Sequence, residues 1–116
     1  MSDHELCYMS ATEALARFRG RSLSPVELTA AVIERAEAVA ATVNPFGDRY
    51  FDQAMTRARA AEAKYSRPGG RPRRLEGIPL AVKDSSAVRG QRSANGSLIN
   101  KDNIDGYTEP AIERLL

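Results

Sequence analysis

The sequence predicts an α/β fold in which three helices precede one core strand. Three observations carry that prediction. Apolar residues recur at helical spacing behind capping signals over residues 1–65. A stretch rich in helix breakers, residues 66–76, interrupts the pattern. A short continuous apolar run, Ile78-Pro79-Leu80-Ala81-Val82, follows it, and such a run suits a buried strand better than a helix.

The first helix opens at Ser10-Ala11-Thr12-Glu13, a capping box. Its apolar face is Ala14, Leu15 and Phe18, and Gly20 is its expected stop. The second start signal is stronger. Ser24 can cap, Pro25 suits the first helical position, and Glu27 can reach back to the Ser24 amide. Leu23 and Leu28 stand at the staple positions around that cap. Leu28, Val32, Ala36, Val39, Ala40 and Val43 recur at spacings of three and four, predicting one buried stripe. Asn44-Pro45 ends this helix, because a residue before proline avoids helical dihedrals.

A third helix is expected over residues 49–64, with Phe51, Ala54, Met55, Ala58 and Ala61 on one side. After the loop and the strand, residues 84–105 read as a long polar loop, a class of segment that is often functional. Thr108 or Glu109 then caps a last helix with Pro110 in its first turn. The order is helices, one strand, a loop and a further helix. One strand cannot satisfy its own backbone donors and acceptors, so the fold reads as incomplete.

Composition sets bounds on function. The chain has 116 residues, enough for one small domain, and 42% of them are hydrophobic. Seventeen basic against fifteen acidic residues give a net charge of +2. That balance is too even to point to nucleic acid or a membrane. Four arginines fall between Arg67 and Arg74 and could touch phosphate, although such a run is more often a solvated connection. The polar N-terminus shows no signal peptide, and no window is long enough to span a membrane, so a cytoplasmic protein is expected. Asn95-Gly96-Ser97 matches a glycosylation sequon but reads better as an Asn-Gly turn.

Few residues suit chemistry. His4 and Cys7 are the one histidine and one cysteine, and they make no convincing metal site. No P-loop and no dinucleotide fingerprint is present, so no cofactor is expected. What remains is Lys83-Asp84 at the end of the apolar run. Desolvation at a strand end favours a neutral lysine, which can act as a general base. On spacing alone, a lysine snorkelling to solvent beside a carboxylate is the commoner arrangement.

The surrounding residues change that balance. Leu75-Glu76-Gly77-Ile78-Pro79-Leu80-Ala81-Val82-Lys83-Asp84 resembles the L-x-G-[IV]-P-x-x-[VI]-K-D segment of the amidase-signature family. Gln91-Arg92-Ser93-Ala94-Asn95-Gly96-Ser97 stands where that family has T-T-x-G-S. Residues 108–116 resemble its D-A-x-x-V-x-R-L helix. Ser24-Pro25-Val26-Glu27-Leu28 through Asn44-Pro45-Phe46 resembles its opening helix. The four segments, in order, cover nearly the whole chain. Ser93 and Ala94 replace the two threonines, and Glu109-Pro110-Ala111 replaces the usual Asp-Ala, which marks a divergent branch.

The resemblance implies a mixed central sheet wrapped in helices, to which these residues would give the outer N-terminal helices and one or two strands. As an N-terminal segment of such a domain, the chain would be helical over 1–65 and a loop over 66–76. Residues 77–116 would hold the strand, the catalytic-lysine loop and the start of a helix. It implies cleavage of carboxylic amide C–N bonds by a Ser–Ser–Lys triad, with Lys83 as the base. The two serines belong to a Gly/Ser-rich motif that Ser85, Ser86, Ser93 and Ser97 do not match. The chain is therefore expected to be a truncated part of an amidase, inactive by itself. Expected partners are a small-molecule amide and a further part of the domain, or a second copy, over exposed apolar surface. A nucleic acid is not expected. A non-catalytic helical binding module and part of a tRNA-dependent transamidase are the alternatives.

Overall fold

A computed structural model describes all residues, 1–116. It contains five α-helices: α1 (Asp3–Cys7), α2 (Ala11–Arg19), α3 (Pro25–Val43), α4 (Phe51–Ser66) and α5 (Pro110–Leu115). A single 3₁₀ turn spans Leu98–Asn100. The chain divides into two compact units, Met1–Pro79 and Leu80–Leu116.

The expected strand and the mixed sheet are not formed. About half of the residues are helical, and the only ladder pairing is an isolated antiparallel bridge between Arg92 and Ile104. A strand needs a partner's donors and acceptors, and residues 78–82 have none. Instead the Ile78 amide donates to the Leu75 carbonyl at 3.1 Å, closing a turn. Pro79 has no amide proton to offer a ladder. Ile78 packs on the helical core, whereas Leu80 and Ala81 are exposed. An apolar run cannot by itself distinguish a buried strand from a segment laid across helices. The α/β expectation is thus corrected to a helical structure.

In the first unit, the second start signal is realised in full. Ser24 Oγ accepts from the Val26 amide at 2.9 Å, and the Ser24 amide donates to Glu27 Oε2 at 2.8 Å. The Ser24 hydroxyl also donates to the Glu62 carboxylate, tying the start of α3 to α4. Of the expected stripe on α3 only Leu28 is fully buried; Val32, Ala36, Val39 and Ala40 are half-buried and Val43 is exposed, while Ala31, outside the stripe, is buried. α2 realises only half of its capping box. Ser10 Oγ accepts from the Glu13 amide at 3.1 Å, while the Glu13 carboxylate turns to Arg17 at 2.7 Å.

α2 ends in a Schellman pattern. The Ser22 amide reaches the Arg17 carbonyl at 3.0 Å, and the Arg21 amide reaches that of Phe18 at 3.2 Å. Arg21, not Gly20, takes the left-handed conformation, with φ +56. α1 is an addition to the expected helices. Its cap is a complete box between Ser2 and Glu5, and the signal, Ser-x-x-Glu before Leu6, is present in the sequence.

The core gathers Leu6, Ala14, Leu15, Phe18, Leu23, Leu28 and Ala31, with Tyr65 and Ile78 packed against it. α1 and α4 both pack on α3, and α2 meets α4. Phe18 is 1% exposed and its ring lies 5.6 Å from that of Tyr65. Burying each large apolar side chain contributes about 1.5–3 kcal/mol.

Candidate active site

The segment that precedes Lys83 in the chain is anchored by Glu76 and Gly77. Glu76 Oε1 accepts from the Lys64 ammonium at 2.9 Å, Oε2 accepts from the Arg73 amide at 3.0 Å, and the Glu76 carbonyl accepts from the Tyr65 hydroxyl at 3.0 Å. Burial pushes the Glu76 carboxyl up, but the Lys64 and Arg73 hydrogen bonds outweigh it and hold it below its ordinary value. Gly77 has φ +83, and a Cβ there would lie 2.7 Å from Pro25 Cγ. Only glycine suits both the dihedral and the approach. Two of the stretches singled out in the sequence, the capped start of α3 and Leu75-Glu76-Gly77-Ile78-Pro79, are therefore packed directly on one another.

In the second unit Asp84 does the corresponding work. Its Oδ1 accepts from the Ala94 amide at 2.9 Å, its Oδ2 from the Gly96 amide at 3.1 Å, and its carbonyl from the Asn95 amide at 3.4 Å. Three successive amides thus point at one residue. Hydrogen bonds from Ala94 and then Gly96 hold the Asp84 carboxyl below its ordinary value. Asp84 is an ionised clamp on the Asn95-Gly96 turn. The turn itself, expected from Asn-Gly, has φ +52 and +64.

Behind the turn lies a polar knot that the sequence does not reveal. Ser93 is buried, and its hydroxyl donates to the Asp105 carboxylate and lies 3.3 Å from the Ser86 carbonyl. Asn103 Nδ2 donates to the Ser93 carbonyl at 3.1 Å and to Asp105 Oδ1 at 3.3 Å. The Gly90 amide donates to the Asp105 carbonyl at 2.8 Å. Ser93 is thereby engaged by structure. Glu109 and Thr108 close the unit: the Ala87 amide donates to Glu109 Oε1 at 3.2 Å and the Arg89 amide to Thr108 Oγ1 at 3.0 Å.

Lys83 itself is exposed. Its carbonyl accepts from the Ser86 amide at 2.9 Å, and its ammonium forms neither a hydrogen bond nor an ion pair. Neither the strand end nor the salt-bridged alternative describes it. The arrangement is an unpaired lysine on a short turn whose next residue is clamped by three amides. No group of three or more His, Cys, Asp or Glu side chains is gathered in a way that could hold a metal ion. No helix is long and apolar enough to cross a membrane.

A family model described as Amidase matches residues 27–116. Among curated proteins, a glutamyl-tRNA(Gln) amidotransferase subunit from Moorella thermoacetica is 34% identical over 111 residues, covering 96% of this chain and 23% of that protein. The subunit of the same name from Acidothermus cellulolyticus is 35% identical over 115 residues, covering 99% of this chain and 22% of that protein. An acylamidase of Rhodococcus erythropolis is 32% identical over 116 residues, covering 99% of this chain and 24% of that protein. The chain spans less than a quarter of the length of these relatives.

Proposed function

The chain belongs to the amidase family, and we propose from that premise that it contributes the general base, Lys83, to cleavage of a carboxylic amide C–N bond. The observation that carries this reading is the lysine turn: an exposed, unpaired ammonium beside a carboxylate spent wholly on positioning backbone. In the proposed reaction Lys83 is the general base and takes a proton through a bridging serine. The second serine then attacks the amide carbonyl. The amine leaves with a proton returned by the same relay, and water hydrolyses the acyl-enzyme. Neither serine is supplied by Ser93, whose hydroxyl is committed to Asp105.

A second reading shares the lysine and changes the fate of the nitrogen. Relatives named as glutamyl-tRNA(Gln) amidotransferase subunits match as well as the acylamidase does. Under this reading, ammonia released from a glutamine amide is passed to an acyl group carried on tRNA. Residues 1–116 by themselves should turn over neither substrate.

The test is acyl trapping in the full polypeptide that carries this chain. With hydroxylamine present, simple amides should yield hydroxamates if the first reading holds. Glutamine-dependent amide formation on aminoacylated tRNA, with no turnover of simple amides, would select the second. Turnover by residues 1–116 alone would overturn the view that the chain supplies a base without its serines.

A further inference from the structure

We propose that the arginine-rich face formed where the C-terminal ends of α2 and α4 meet binds single-stranded RNA through its phosphodiester backbone. The net charge of +2 conceals a segregation. Residues 17–21 and 64–74 hold eight of the seventeen basic residues and none of the fifteen acidic ones. The rest of the chain is net negative by six.

The fold joins these two segments. The Arg21 guanidinium donates to the Ser66 carbonyl at 3.1 Å, Phe18 lies against Tyr65, and Arg19 is close enough to Tyr65 to act on its hydroxyl electrostatically. The loop after α4 doubles back on the helix end. At Gly70 a Cβ would lie 1.9 Å from the Lys64 carbonyl oxygen, and the Gly70 amide donates to the Arg67 carbonyl at 3.1 Å. Glu76 then ties the loop to Lys64 and to the Arg73 amide. The loop arginines are therefore presented on a folded surface.

Basic residues in a last helical turn offset the helix dipole, and that accounts for Arg17, Arg19 and Lys64. It does not reach Arg71, Arg73 and Arg74, which lie beyond the C-cap at Arg67. Arg17 and Lys64 are paired with Glu13 and Glu76. Arg19, Arg21, Arg67, Arg71 and Arg74 are exposed and form no ion pair with a carboxylate. Guanidinium forks match phosphate oxygens, and a row of phosphates on one strand matches a compact group of them. The charges sit at helix ends and on a loop, a poor shape for entering a duplex groove. RNA presents accessible single strands as loops and ends. This inference rests on charge placement and is independent of the reaction at Lys83.

The test is fluorescence anisotropy of a labelled oligouridylate against the chain over a salt series. Four to five phosphate contacts predict a slope of log affinity on log salt of about −3. The triple variant Arg67→Gln/Arg71→Gln/Arg74→Gln should bind at least about tenfold more weakly, with the slope reduced by about 2. Arg35→Gln, on the exposed part of α3, should bind as the parent does. Circular dichroism of each variant is the control for folding. Binding without salt dependence, an unchanged triple variant, or tighter binding to oligothymidylate, duplex DNA, polyglutamate or phosphatidylserine vesicles would overturn the proposal.

Discussion

Met1–Pro79 and Leu80–Leu116 are held together by different physics. The first unit buries Leu6, Leu15, Phe18, Leu23 and Leu28 among capped helices. The second buries only Ala87, Val88, Ser93 and Ala94, and leaves Leu98 and Ile99 86% and 93% exposed. Its order comes from side chains that bind backbone: Asp84 on residues 94–96, Asp105 and Asn103 on Ser93, Glu109 on Ala87. Apolar burial is non-directional and spread over many contacts. Hydrogen bonds are few and directional, so each one in the second unit matters locally.

The largest expected effect is in the helical unit. Phe18→Ala should cost about 3–5 kcal/mol, because the cavity lies at the meeting of α2 and α4; denaturant unfolding checks it. Gly77→Ala should cost about 2–4 kcal/mol, combining a left-handed φ with collision against Pro25. A cost below about 1 kcal/mol at Gly77 would show that the Gly77–Pro25 approach is loose. In the second unit, Ser93→Ala should cost about 1–3 kcal/mol of local stability, read as faster amide exchange at residues 90–105, with α3 amides as the reference. If exchange accelerates in α3 instead, the polar knot is not what orders the second unit.

The smallest effect is a pH dependence. Glu76 has a lowered folded pKa, so its contribution is complete above its ordinary value of 4.5 and is lost as pH falls through the folded value. Glu76→Gln should be less stable than the parent by about 1 kcal/mol at neutral pH, since the exposure of Lys64 weakens the pair. That gap should close in acid. Thermal melts of both proteins from neutral pH down into the acid range test the sign.

This contrast also explains what is legible in the sequence. The Ser24 cap, the Leu23–Leu28 staple and the Asn-Gly turn are readable because each signal lies within a few residues of its effect. α1 is equally local, since Ser2 and Glu5 carry the same signal, yet its five residues are too few to show a helical period. The apolar run at residues 78–82 misleads because whether it forms a strand depends on a distant partner strand, and none pairs with it. The Ser93–Asp105 knot leaves no local trace, since its partners stand twelve residues apart with no periodicity. Lys83 and Asp84 stand out by motif, and only the structure shows that Asp84 is a clamp on Ala94, Asn95 and Gly96.

The most direct test of the central claim is the steady-state rate of amide cleavage by the full polypeptide with Lys83→Ala and Lys83→Arg. Both variants should retain the parent melting temperature, because the exposed ammonium holds nothing in place. Both should lose about 10³-fold or more in kcat, Arg included, because a guanidinium does not deprotonate. Full turnover in either variant, with folding intact, would contradict the assignment of Lys83 as the base.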